Sequence, residues 1–160
     1  MAGPDAVLIV IPARRASTRF PEKLLASETG RPLLQHAWER AMLAGPGCRV
    51  LVAVDDQVLA DAARGFGAEV VMTDPGHPNG TSRIAEVVAG LGADCPPVVV
   101  NVQGDEPELD PAGIRAAVEA LRQATDCVVA TLACPIDDAA TAADPAVVKL
   151  VRDRAGRALY

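Results

Sequence analysis

Aromatic side chains are nearly absent from this chain: one Trp, one Tyr and two Phe make up 2% of its 160 residues, although half of all residues are apolar. Any core must therefore be built from Ala, Val and Leu, which suits helices lying close on a sheet better than a β-sandwich. Excess positive charge is also lacking, since the formal net charge is −6. That balance excludes a nucleic-acid-binding or anionic-membrane-binding face, both of which need a basic surface. No apolar run is long enough to span a membrane, and the amino terminus lacks the basic region of a secretory signal, so a cytoplasmic protein without membrane insertion is expected. Cys48, Cys95, Cys127 and Cys134 show no C-x-x-C or His-adjacent spacing, and they read as small buried hydrophobes rather than zinc ligands or disulfides. No G-x-G-x-x-G follows the first apolar run, which excludes the dinucleotide-binding version of an α/β fold.

What is present alternates strand and helix. Ala6–Ile11 is unbroken and largely β-branched, as a strand buried on both faces requires. Residues 31–44 place Leu33, Leu34, Ala37, Trp38, Ala41 and Met42 on one helical face, and Gly45-Pro46-Gly47 stops that helix. Arg49–Val54 predicts a second strand, and Asp55 or Asp56 can cap the helix that follows. Further strands are expected at Glu69–Met72, Pro97–Val102, Cys127–Ala133 and Val147–Val151, with a helix after the polar loop 73–80 and another opened by Asp110-Pro111. Asp153–Gly156 reads as a hairpin turn. Short β-α repeats imply one domain over residues 1–160, of the α/β class, with a mostly parallel sheet covered by helices. A chain of this size buries about two-thirds of its unfolded surface.

Two stretches carry chemistry. The segment Ile11-Pro-Ala-Arg-Arg-Ala-Ser-Thr-Arg-Phe-Pro-Glu-Lys23 brings Arg14, Arg15, Arg19 and Lys23 onto one loop after a strand, where open α/β sheets bind ligands. Four cations in an acidic chain suit a triphosphate, although a solvated charged connection has similar letters. Gln103-Gly-Asp-Glu-Pro107 follows another apolar run and should bring Asp105 to the same sheet edge. A carboxylate beside phosphates is what Mg²⁺ requires, while a turn aspartate bonded to its own backbone is the plainer reading. His77, in a proline-rich loop without an identifiable carboxylate partner, reads as a loop-shaping residue, and His36 as structural.

The string Ile-Pro-Ala-Arg-x-Ala-Ser-Thr-Arg-x-Pro-x-Lys closely resembles the signature loop of the 3-deoxy-manno-octulosonate (Kdo) cytidylyltransferases, or CMP-Kdo synthetases. Residues 72–86, 100–107 and 148–160 agree with that family in order and spacing. The resemblance implies the three-layer α/β/α Rossmann-like nucleotidyltransferase fold of nucleotide-diphospho-sugar transferases. It also implies transfer of CMP from CTP to Kdo with release of pyrophosphate, for lipopolysaccharide biosynthesis. Arg14, Lys23 and Asp105 become the candidate catalytic residues, with Asp105 holding Mg²⁺. Ala13, Arg14, Ser17, Thr18, Arg19 and Lys23 are the candidate contacts to the CTP phosphates, and Gln103 also belongs to the CTP site. Gly80, Thr81, Ser82 and Arg83 are the candidate base-reading residues at a helix start, a position that an ordinary capped helix also explains. Arg15 stands where the family varies and is read as solvated; Glu22 and Leu24 depart from a common Gly and Pro.

Members of that family are longer, so the chain is expected to be an amino-terminal fragment. On the resemblance, the homodimer-forming hairpin region, most sugar-acid contacts and a second metal-binding aspartate lie beyond residue 160. A cytidylyltransferase for sialic acid or 8-amino-Kdo, or a CTP-binding fragment without turnover, stays open as an alternative.

Overall fold

The computed structural model describes residue 3, residues 5–15 and residues 22–159. The sheet is four-stranded and parallel throughout: β1 (Val7–Ala13), β2 (Cys48–Val54), β3 (Glu69–Met72) and β4 (Val98–Asn101), in the order β3-β2-β1-β4. Among the described residues five α-helices are interspersed: α1 (Leu33–Met42), α2 (Gln57–Gly65), α3 (Gly80–Leu91), α4 (Pro111–Gln123) and the short α5 (Ala139–Ala143).

β1 is the centre of the molecule. It pairs with β2 over its whole length, Val7 to Ala13 against Cys48 to Val54, and with β4 from Val7 to Val10. Alternate residues feed two cores, as strand geometry dictates. Ile9, Ile11, Ala13, Val50, Val52 and Val54 pack with Leu34, Leu59, Ile114 and Val118, so that α1, α2 and α4 cover one face. Leu8, Val10, Leu51 and Ala53 pack with Ile84 and Val87 of α3 on the other. These are the three expected layers. Small residues make the fit: Ala37, Ala41, Ala60 and Ala63 are fully buried. The few rings are placed where they bridge helices, Trp38 of α1 lying 5.3 Å from Phe66 at the end of α2.

Helix ends follow sequence chemistry. Asp56, not Asp55, caps α2 by accepting from the Val58 N–H at 2.8 Å, and Asp110 caps α4 ahead of Pro111. α3 opens on Asn79, whose side chain accepts from the Ser82 N–H at 2.9 Å.

Two expected strands do not form. Cys127–Ala133 and Val147–Val151 join no ladder among the described residues, and Val128 and Val148 are 92% and 93% exposed. β-propensity is mostly the reward of packing and pairing, and neither run is paired along its length, the Val151 carbonyl alone accepting a cross-hairpin bond, from the Leu159 N–H at 2.8 Å. Leu132 instead rests on α4 at Gly113, where an added Cβ would meet its Cδ1 at 2.8 Å. The hairpin turn at Asp153–Gly156 does form, closed by a single antiparallel bridge between Arg152 and Ala158.

The two kinds of apolar run should respond oppositely to truncation. Leu51→Ala, in a fully buried position, is expected to cost about 2–5 kcal/mol. Val128→Ala is expected to stay within about 0.5 kcal/mol of the parent. Urea unfolding midpoints at constant m-value measure both, and a large loss from Val128→Ala would contradict the exposed placement of that run.

Candidate active site

Because every strand of the sheet points the same way, the residues that follow β1, β2 and β4 arrive at one edge. There the segments that follow β1, β3 and β4, with the start of α3, surround a cavity of about 630 Å³. The end of β1 brings Ala13 and Arg14, a 3₁₀ turn at Lys23–Leu25 brings Lys23, the segment after β4 brings Gln103 and Asp105, and the start of α3 brings Gly80 and Arg83. Ser17, Thr18 and Arg19 lie outside the described residues. Thr81 and Ser82 do not line the cavity. Thr81 faces a separate apolar groove on the outer side of α3, and the Ser82 hydroxyl donates to the Asn79 carbonyl within the capping turn. Helix phase is the reason: residues 80 and 83 share a face that residue 81 does not.

Lys23 and Asp105, 82 positions apart in sequence, meet as an ion pair with Nζ 2.5 Å from Oδ2. Both side chains remain more than two-fifths exposed, so the pair is worth about 0–1 kcal/mol and yields readily to a more highly charged partner. Two contacts set its position. Gly104 is buried, and a Cβ there would come within 3.2 Å of Leu34 and 3.4 Å of Leu24. Leu24, which departs from the family's common Pro, thus packs the Lys23 turn onto the glycine that precedes Asp105. Gly80 likewise lets α3 start against β1, since an added Cβ would lie 2.9 Å from the Pro12 ring. The close approach Gly80 permits is to Pro12.

Arg83 is the most deeply placed cation among the described residues, only 3% exposed. Its guanidinium donates to Asp55 Oδ2 at 3.0 Å and to the Thr73 hydroxyl, which in turn donates to the Val54 carbonyl at 2.8 Å. Asp55 Oδ1 accepts the Arg15 N–H at 3.0 Å. The Asp55 role was invisible in sequence, since its partners are 28 and 40 residues away. Arg15 is not simply solvated either. Its guanidinium reaches Glu22 at 2.8 Å and Asp56 at 3.2 Å, and these hydrogen bonds, that to Glu22 foremost, hold its proton more tightly than usual.

His77, on the cavity wall, has the carboxylate partner that sequence could not identify: its Nε2 lies 2.5 Å from Glu86 Oε2. The same Glu86 oxygen accepts the Asp74 N–H at 2.9 Å. The backbone donor first, and then the imidazole, hold the Glu86 carboxyl below the usual range. One carboxylate of α3 thus fastens the loop from 73 to 80. His36 bonds Thr29 Oγ1 at 2.7 Å, away from the cavity, as a structural residue does.

Among the described residues no three His, Cys, Asp or Glu side chains gather to hold a metal. Asp105 is the carboxylate that faces the cavity. This donor set fits a hard cation held mainly by phosphates and water with one protein carboxylate, and not a site closed by protein ligands.

A family model described as cytidylyltransferase matches residues 8–160. The chain belongs to the cytidylyltransferase family. It is 48% identical over 152 residues to a 3-deoxy-manno-octulosonate cytidylyltransferase of Thioalkalivibrio sulfidiphilus, covering 95% of this chain and 60% of that protein. To the enzyme of the same name from a Marinomonas species it is 50% identical, covering 95% and 57%. The chain thus spans about 60% of the length of the curated relatives it matches. Among solved structures it is similar to a CMP:2-keto-3-deoxy-manno-octonic acid synthetase complexed with CTP, with a TM-score of 0.84 at 36% identity, covering 98% of this chain and 63% of that one. A nucleotidyl transferase from Methanothermobacter thermautotroptrophicus, with a TM-score of 0.60 at 21% identity and coverage of 72% and 57%, shares the fold. No described helix is long and apolar enough to cross a membrane.

The Glu86 fastening has a definite pH signature. A carboxyl held low in the folded state contributes stability above its ordinary value and loses it as pH falls through the depressed one. The Asp74 amide resonance is therefore expected to stay constant down to about pH 5 and to shift with a midpoint below about 4.3, the ordinary Glu value. In Glu86→Gln that transition should vanish. An NMR titration with a midpoint at or above the ordinary value would contradict this reading.

Proposed function

We propose that this protein transfers CMP from CTP to Kdo, giving CMP-Kdo and pyrophosphate, with Mg²⁺ as the metal. The observation that carries the proposal is the convergence of Arg14, Lys23 and Asp105 with buried Arg83 on one cavity at the carboxyl edge of a parallel sheet. The names of the relatives and the CTP complex of the synthetase support the choice of substrates.

In this reading the anomeric hydroxyl oxygen of Kdo forms a bond to the α-phosphorus of CTP while the bond to the bridging oxygen breaks. Pyrophosphate departs and the hydroxyl proton passes to water. Negative charge grows on the α-phosphate and on the leaving group, so fixed cations aimed at those oxygens lower the barrier. Lys23 is the better placed for the reacting phosphate, because it already sits at the mouth of the cavity against Asp105. Arg14 braces the triphosphate from the β1 side, and Ser17, Thr18 and Arg19 take the β- and γ-phosphates. Ala13, Gly80, Arg83 and Gln103 shape the remainder of the CTP pocket, with the 73–80 loop and the start of α3 reading the small pyrimidine. When bound, Mg²⁺ would withdraw charge from the phosphates, with Asp105 as its protein ligand. The Lys23–Asp105 pair keeps both charges compensated in the free protein, and its weakness lets Lys23 turn to phosphate at little cost. The reading includes a cytoplasmic setting and, for the full-length enzyme, a homodimer.

Calorimetric titration of the protein with CTP, UTP, ATP and GTP in Mg²⁺ tests the nucleotide, and CTP is expected to bind most tightly. Equal affinity for ATP would remove the base-reading role of the 73–83 segment. Lys23→Ala is expected to lower the rate of CTP- and Kdo-dependent pyrophosphate release by about 10²–10³-fold, the usual effect of one electrostatic donor. Near-normal turnover in that variant would overturn the assignment of Lys23.

A further inference from the structure

Two walls of the cavity come from distant parts of the chain. The phosphate wall begins where β1 ends, at Arg14 and Arg15. The base wall begins at the start of α3, with Gly80 and Arg83. Apart from the Gly80 contact with Pro12, one side chain joins them: Asp55, the first residue after β2. Its Oδ1 takes the Arg15 backbone N–H at 3.0 Å, and its Oδ2 takes the Arg83 guanidinium at 3.0 Å. Asp55 is 10% exposed and Arg83 3% exposed. Arg83 is locked from its other side by Thr73, itself tied to the Val54 carbonyl. Since Val54 immediately precedes Asp55, the whole network hangs from the end of β2.

Resting on the reading of the cavity as a CTP site, we propose that Asp55 is a positioning residue that fixes the spacing between the phosphate-holding and base-holding walls. Asp55 does not line the cavity. Its effect runs through two groups: the backbone next to Arg14, and Arg83. A ligand that must touch both walls at once binds tightly only if their separation is set before it arrives. A carboxylate does this better than an amide here, because both of its oxygens accept and the charge offsets the buried guanidinium. An Asn in its place retains one acceptor but turns an NH₂ group toward one of two donors. Asp56, the neighbouring carboxylate, is committed to capping α2 and pairing with Arg15, so it cannot substitute.

The test is a double-mutant cycle on Mg–CTP affinity, measured by calorimetry on Asp55→Asn, Arg83→Gln and the double variant, with the unfolding midpoint of each recorded. Asp55→Asn is expected to weaken CTP at least 10-fold. The double variant should lose less than the two single losses combined, because part of the effect of Asp55 runs through Arg83 and the rest through the Arg15 backbone. Independent, additive losses, or CTP affinity within 2-fold of the parent in Asp55→Asn, would overturn the proposal. Should Asp55→Asn fail to fold, Asp55→Glu retains the charge but moves it by one methylene. It is expected to keep the fold and lose at least 5-fold in CTP affinity, and parental affinity in that variant overturns the proposal equally. A parent protein that binds no CTP would instead refute the reading of the cavity, an outcome separate from all of these.

Discussion

A strand buried on both faces has few solutions. β1 lies between β2 and β4 and under helices on either side, with Leu8, Ile9, Val10 and Ile11 fully shielded from water. Every backbone polar group in it must be paired by neighbouring strands, and every side chain must be apolar. Parallel neighbours joined by right-handed helical crossovers satisfy both demands. The consequence for function is directional. Once β1, β2 and β4 run the same way, the segments that follow them emerge at one edge, and Arg14, Asp55 and Asp105 are delivered together by backbone geometry before any of them interacts. The chemistry of the site is thus a consequence of the pairing of an apolar strand.

What the edge then needs is order among side chains that repel or desolvate one another. A guanidinium as buried as Arg83 is costly unless a carboxylate meets it and its remaining donors are used. Asp55 and Thr73 supply those partners. Removing one member of such a buried pair typically costs about 3–5 kcal/mol, whereas the exposed Lys23–Asp105 pair is worth about 1 kcal/mol or less. The difference in burial divides the site into a fixed part and a part free to change partners. The fixed part lies under the wall proposed to read the base, and the exchangeable part faces the position proposed for the phosphates.

The layers of the fold were readable because burial on both faces leaves an unmistakable run of branched residues, and the Asp55-Asp56 pair and Asp110 mark helix starts by local chemistry. That Lys23 and Asp105 would come to one sheet edge was readable because the segment carrying each follows a strand. Cys127–Ala133 and Val147–Val151 have the same composition as true strands, but composition reports willingness to pair and not the presence of a neighbour, and no described strand lies alongside either run. Thr81 and Ser82 show a different limit. Motif position suggests four consecutive contacts, while side chains on one helix face recur three or four residues apart, and of the four only Gly80 and Arg83 line the cavity. Asp55 was missed because its two partners are joined to it only through the fold.

Glu22, a departure from the family's common Gly, and Arg15, at a position that varies, are best understood together. Glu22 is the one described non-glycine residue with a left-handed backbone, at φ 55°, a conformation that disfavours a side chain by about 1–2 kcal/mol and explains why glycine is common there in the family. Its carboxylate accepts from both Nε and Nη2 of Arg15, at 3.0 and 2.8 Å. Arg15 and Glu22 are the two described ends of the cationic loop, and each adjoins a residue of the site: Arg14 precedes the first and Lys23 follows the second. The strain at residue 22 is therefore borne where a hydrogen-bonded ion pair draws the ends of the loop together. A glycine at 22 would relieve the backbone but could not make that pair. The pair ties together the residues next to Arg14 and Lys23, both of which line the cavity.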